Sequence, residues 1–207
     1  MGSPSYRNAF KLTLHPHLLE APLRWKKPRV VFVNSMSDMF HKDVPEEYIQ
    51  RIFEVMARSS RHVFQSLTKR THRLVRLSPR LPWPGNVWMG TTVEHVNYLY
   101  RIEQLRQCGA QTKFLSLEPL LGPLPGLDLR EIDWVIVGGE SGPGARPMRK
   151  EWVTDIRRQC REQHVPFFFK QWGGVNKRKT GRKLEGRIYD EVPDKLKALG
   201  LQGELAL

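Results

Sequence analysis

The sequence predicts an α/β protein folded as a partial (β/α) barrel, with about six parallel strands and the helices outside, like a TIM barrel. Three observations predict it. Short apolar runs rich in β-branched and aromatic residues recur at intervals of roughly 20 to 35 residues, the spacing of right-handed βαβ units. Each run ends in hydrogen-bonding or charged side chains, so every strand delivers polar groups to one rim. An open doubly wound sheet would gather them at one switch point instead. Finally, 207 residues are too few for eight units, so the barrel is expected to be incomplete.

The run with the sharpest ending is Trp134-Val135-Ile136-Val137, followed by Gly138, Gly139, Glu140, Ser141 and Gly142. Such a run reads as a strand buried on both faces. The glycines allow close backbone approach, and Glu140 and Ser141 fall on the loop at the strand's carboxyl end, where such folds bind ligands.

In chain order, residues 1–28 read as an irregular segment broken by Pro4, Pro16, Pro22 and Pro28. Trp25 lies among Arg24, Lys26, Lys27 and Arg29, where it is covered by their stems or stacks on a ring. The first strand, Val30-Val31-Phe32-Val33, leads into Asp38 and His41, readable as an acid/base pair or as a turn. Asp43 is expected to cap the next helix, with Pro45 in its first turn and Glu46 at capping-box spacing. Tyr48, Ile49, Ile52, Phe53 and Met56 form that helix's apolar stripe. The second strand, Val63–Leu67, is followed by Thr68, Lys69 and Arg70, and the two cations together suit an anion; Gln65 inside it reads as pointing into a polar interior or as facing the lumen and bonding a neighbour.

The third strand, Val87 to Glu94, puts Thr91, Thr92 and Glu94 near the rim, with Gly90 leaving room for another group. A helix from about His95 to Cys108 follows, with a stripe of Leu99, Ile102, Leu105 and Cys108. The fourth strand, Thr112–Leu117, ends in Glu118-Pro119, and a crossover with little room for a helix leads to the fifth. There Arg146 and Arg149 are candidates to clamp a carboxylate or phosphate. A helix from about Glu151 to Gln163 packs Trp152, Ile156 and Cys160, and the last strand, Phe167-Phe168-Phe169, ends in Lys170 and Gln171. The barrel thus spans residues 29–174. Residues 175–207 form a basic extension, read as a solvated tail or a phosphate binder through the run 177–183.

Composition narrows the function. The net charge of +13 favours a nucleic acid or a nucleotide-like ligand. No apolar run approaches the roughly 18 residues that span a membrane. Residues 1–10 carry no apolar signal core, so a cytoplasmic protein is expected. Cys108 and Cys160, the two cysteines, are expected in the core, which leaves no metal site made of three thiolates. Walker, GxGxxG, GxSxG and HExxH patterns are absent.

Seven ordered motifs, FVNSMSDMFH (32–41), LTKR (67–70), WMGTTVE (88–94), SLEPLLG (116–122), IVGGESG (136–142), ARPM (145–148) and FFFKQWGG (167–174), carry a resemblance. Over about residues 10–193 the chain resembles a family of unassigned reaction, often encoded in phages and prophages, similar in turn to the radical S-adenosylmethionine barrel enzymes. The resemblance implies S-adenosylmethionine and a 4Fe–4S cluster on three cysteines of a CxxC-containing segment near the start. This sequence lacks that segment. It is expected either to continue upstream of Met1 in a full-length form or to be a cluster-free relative. Gly138-Gly139-Glu140 looks similar to the segment that binds the cofactor's amino group, although it follows a later strand.

The resulting expectation is a ligand-binding rim. Thr92, Glu94, Gly138, Gly139, Glu140 and Ser141 hold a cofactor; Lys69, Arg146, Lys170 and Gln171 hold a substrate; Asp38, His41 and Glu118 do acid/base work. Two alternatives stand beside it: a cluster-independent barrel enzyme on a phosphorylated or nucleotide-like substrate, and a non-catalytic nucleic-acid-binding phage accessory protein.

Overall fold

A computed structural model of the protein describes residues 12–34 and 37–201. Six parallel strands pair in chain order: β1 (Val30–Val33), β2 (Val63–Thr68), β3 (Val87–Thr92), β4 (Thr112–Leu117), β5 (Trp134–Gly138) and β6 (Phe167–Gln171). The sheet curls into a half-barrel with β1 and β6 at its ends, and helices lie alongside. The expected α/β partial barrel is therefore the observed fold.

The helices are α1 (Pro16–Leu19), α2 (Glu46–Arg58), α3 (Thr71–Leu77), α4 (Tyr100–Arg106), α5 (Lys150–Glu162), α6 (Lys177–Thr180) and α7 (Asp194–Ala198). Alternate residues of a strand point to opposite faces. Phe64, Met89, Leu115, Val137 and Phe169 face outward and join Ile49 and Phe53 of α2, Leu74 of α3, Ile102 of α4 and Ile156 of α5 in one core. Cys108 and Cys160 are buried there, as expected. Trp88, Phe114, Trp134 and Phe168 face the concave side and form a second, aromatic core. The Phe114 ring fills the space beside Gly90.

Four local expectations change. Asp43 does not cap α2. The turns His41 N–H to Asp38 O (2.9 Å) and Val44 N–H to His41 O (3.0 Å) hold it outside the helix, where it binds Lys42 at 2.8 Å. Pro45 precedes the first turn, and no side chain caps it. The long helix expected after β3 is a 3₁₀ turn at Val96–Tyr98 followed by the shorter α4. The bonded reading of Gln65 is not met, since its Nε2 has no partner among the described residues. And beyond the run 177–183 the chain packs back on the sheet: Val192, Leu196 and Leu201 are buried against the concave aromatic core, and Phe169 N–H donates to Tyr189 O at 2.8 Å.

The crossover from β4 to β5 contains no helix, as expected, and its backbone still needs partners. Two glutamines of the α5 region supply them. Gln159 accepts from Leu127 N–H (2.6 Å) and donates to Leu124 O (2.9 Å). Gln163 accepts from Leu129 N–H (2.9 Å) and donates to Leu127 O (2.8 Å). Near the start of the described chain, Arg29 covers Trp25 with its guanidinium 4.9 Å from a ring centroid, and Trp25 meets His62 edge-on.

Candidate ligand site at the carboxyl rim

The carboxyl ends of the strands bring four carboxylates to one rim, and each is held differently. At β1, Asp38 accepts from Thr68 Oγ1 (2.9 Å to each oxygen), Arg70 Nη1 (2.7 Å) and the amide of Phe40 (2.9 Å). These bonds tie the β1 loop to the end of β2, a positioning role. His41 is not joined to Asp38 by a side-chain bond; its Nδ1 accepts from Asp43 N–H at 3.3 Å, and its carbonyl accepts from Arg73.

Beyond β3, Glu94 is buried between two cations, Lys69 from the end of β2 and Arg101 of α4 at 3.0 Å. Arg101 is itself buried, donates to Thr92 O at 2.9 Å and lies 4.2 Å over the Tyr98 ring. The two cations give both oxygens of the buried carboxylate a partner. Lys69 is half exposed, so one of those cations remains accessible.

Beyond β4, Glu118 lies across β5: a Cβ on Gly138 would sit 3.0 Å from its Oε1. It accepts from Lys170 Nζ (2.9 Å) and Gln171 Nε2 (3.2 Å), both of β6, and Gln171 also donates to Ser141 Oγ (2.9 Å). Glu118 and Lys170 are 22% and 24% exposed, so the pair is half desolvated yet reachable.

Beyond β5, Glu140 is paired to Arg146, which donates from Nε and Nη2 at 2.8 Å each and from its amide at 2.9 Å. Arg146 holds the Glu140 carboxyl down to about 2. Arg149 does not join it to form a clamp; its guanidinium lies 5.7 Å over the Trp152 ring.

The glycines around Glu140 serve a backbone crossing. Gly139 N–H donates to Gln171 O (3.0 Å), and Gly174 N–H donates to Glu140 O (2.6 Å). A Cβ on Gly139 would sit 1.9 Å from Trp172 O, and one on Gly173, where φ is +79°, would sit 2.1 Å from Glu140 O. No side chain fits either position. This crossing sets Ser141 and Gln171 beside Glu118.

Two recesses adjoin β1. One, about 160 Å³, opens at the rim and is lined by Phe32, Asp38, Leu67, Lys69, Arg70 and Thr92. The other, about 460 Å³, lies behind β1 among Leu14, Leu18, Val31, Tyr48 and Ile52, on the apolar side.

The thiols do not fit an iron–sulfur cluster. Cluster ligation needs exposed thiolates converging on one point. Cys108 and Cys160 are buried in the outer core on different elements, and burial pushes Cys160 up to about 12. Among the described residues, no three His, Cys, Asp or Glu side chains gather as a metal site. No described helix is long and apolar enough to cross a membrane.

One family model matches the chain, over residues 2–193, and its description is a protein of unknown function, DUF5131. The chain belongs to the DUF5131 family. No curated protein and no solved structure matches it. In this member, sequence reasoning placed Thr68 and Arg70 at the rim but missed that their partner is Asp38, and it missed Arg101 on Glu94 altogether. Arg101 had a signal, since it stands directly beside Ile102 of the helix stripe.

Proposed function

We propose that the carboxyl rim of this half-barrel binds a zwitterionic, nucleotide-like small molecule such as S-adenosylmethionine, in a barrel related to the radical S-adenosylmethionine enzymes. One observation carries the reading: Glu118 and Lys170 meet at 2.9 Å inside the rim, half desolvated. An α-amino acid group presents the same two charges. Its ammonium replaces Lys170 on Glu118, and its carboxylate replaces Glu118 on Lys170. The exchange leaves no unpaired charge, which is what a half-buried site requires. Gln171 and Ser141 orient the Glu118 oxygens. Lys69 and Arg70, beside the recess lined by Phe32 and Leu67, suit the other end of such a ligand, an aromatic base or an anion. Glu140 stays with Arg146 and stiffens the loop. The resemblance to a phage-borne family supports the same reading.

A second reading is favoured by the two cysteines, which do not fit a cluster. It is a cluster-independent barrel enzyme acting on a phosphorylated or nucleotide-like substrate at the same rim, with activity indifferent to iron and oxygen.

Calorimetric titration with S-adenosylmethionine tests the first reading. The wild-type protein binds it, Glu118→Gln and Lys170→Met each weaken binding by about tenfold or more, and Glu140→Gln leaves it unchanged. No binding by the wild-type protein, or equal binding by Glu118→Gln, overturns the reading.

A further inference from the structure

The concave face carries donors that the rim pairs do not use. Arg182 follows α6, and its guanidinium carbon lies 4.9 Å from the ring centroid of Phe168, a residue of the concave core. Its Nε and Nη2 are buried without a hydrogen-bond partner. Those two atoms form one edge of the guanidinium, with parallel N–H donors. Arg146 uses the same edge to grip both oxygens of Glu140, at 2.8 Å each. Such an edge matches the paired oxygens of a carboxylate or a phosphate.

Gln65 is the second donor. It lies on the concave side of β2, in register with Phe32 of β1 and Trp88 of β3, and is 1% exposed. Its Nε2 has no partner. Protein interiors seldom leave such groups unmatched, so each instance calls for an explanation. Gln65 and Arg182 are two such instances on the concave side of the sheet, inside the rim where a (β/α) barrel binds its ligands.

We infer that the concave side of the half-barrel binds an oxyanion group, a carboxylate or a phosphate, on the Nε/Nη2 edge of Arg182. The inference goes beyond the rim reading, because Arg182 does not belong to the Glu118–Lys170 pair. The ligand supplies acceptors to two donors that have none, and its negative charge offsets the cation. Arg182 is carried by a segment tied down through Trp172 N–H to Gly181 O (3.1 Å) and Trp172 Nε1 to Lys183 O (2.9 Å).

The test is titration of the full chain with inorganic phosphate and, separately, with malonate, at ionic strength held constant with sodium chloride, read by calorimetry and by the shift in Tm. At least one anion raises the Tm of the wild-type protein, and the more effective one identifies the ligand group. Arg182→Lys keeps the charge but loses the paired edge, and weakens that anion by about tenfold. The double variant Lys179→Ala with Lys183→Ala, which removes exposed charge nearby, binds as the wild-type protein does. If neither anion stabilises the wild-type protein, or if Arg182→Lys binds both as well as wild type, the inference is overturned. A wild-type protein that binds an anion through Arg182 yet ignores S-adenosylmethionine keeps this site and discards the rim reading.

Discussion

The outer face of the sheet carries Phe64, Met89, Leu115, Val137 and Phe169, and every one meets apolar side chains from the helices. The concave face, built from the alternate residues of the same strands, carries Trp88, Phe114, Trp134 and Phe168 together with Gln65 and Arg182, whose donors are unmatched. At the rim stand the pairs Lys69–Glu94 and Lys170–Glu118. The same backbone produces an outer sheet face of apolar contacts and a concave one that also carries unmatched amide and guanidinium donors. Burial of apolar area stabilises both, but a donor without an acceptor costs about 1–3 kcal/mol. That cost has no structural return on the concave side, and it falls where a ligand can offset it.

Variants of opposite sign separate the two faces. The largest effect belongs to the outer face. Phe53 is fully buried and meets Trp83 edge-on at 4.9 Å. Phe53→Ala is expected to lose about 3–5 kcal/mol in urea denaturation, while the folded fraction keeps its ligand affinity. A loss confined to binding would erase the distinction between the faces. Gly139→Ala comes next. The crossing with Trp172 must open to admit a methyl group, at a cost of about 1–3 kcal/mol, and rim binding falls with it because Ser141 and Gln171 lose their register.

Gln65→Met carries the opposite sign. It removes an unmatched amide at similar volume, so the protein gains about 1 kcal/mol. A destabilised variant would show that Gln65 has a structural partner after all. Glu140→Gln has the smallest effect at neutral pH, since exposed ion pairs contribute little. It shows in acid. The Glu140 carboxyl is held at about 2 against an ordinary 4.5, so its contribution is complete above pH 4.5 and is lost as pH falls toward about 2. Denaturation midpoints of Glu140→Gln should lack that part of the acid-side decline.

The fold was legible because strands buried on both faces read as apolar runs, and βαβ spacing fixes their order. The rim was legible as a set, because polar residues directly after such runs have one place to go. The pairings were not. Glu118 and Lys170 lie 52 residues apart, and only the curl of the sheet across Gly138 brings them together. Glu140 and Arg146, six apart, were both visible, yet their mutual grip depends on a loop whose shape the glycine crossing sets. Asp43 had the capping spacing and failed because the preceding turns hold it outside α2. Arg182 was hidden inside a run of cations, where composition reads as solvated charge; nothing local says that one of them turns inward.

Tryptophan places a reporter on each face. Trp88 and Trp134 belong to the concave core, while Trp83 and Trp152 pack on the outer one. Indole ¹⁵N–¹H spectra recorded during titration with S-adenosylmethionine, and again with inorganic phosphate, read both faces at once. The account predicts that the Trp88 and Trp134 signals move and saturate while those of Trp83 and Trp152 stay in place. Movement of Trp83 or Trp152 with Trp88 and Trp134 fixed would put the ligand on the helix side and contradict it.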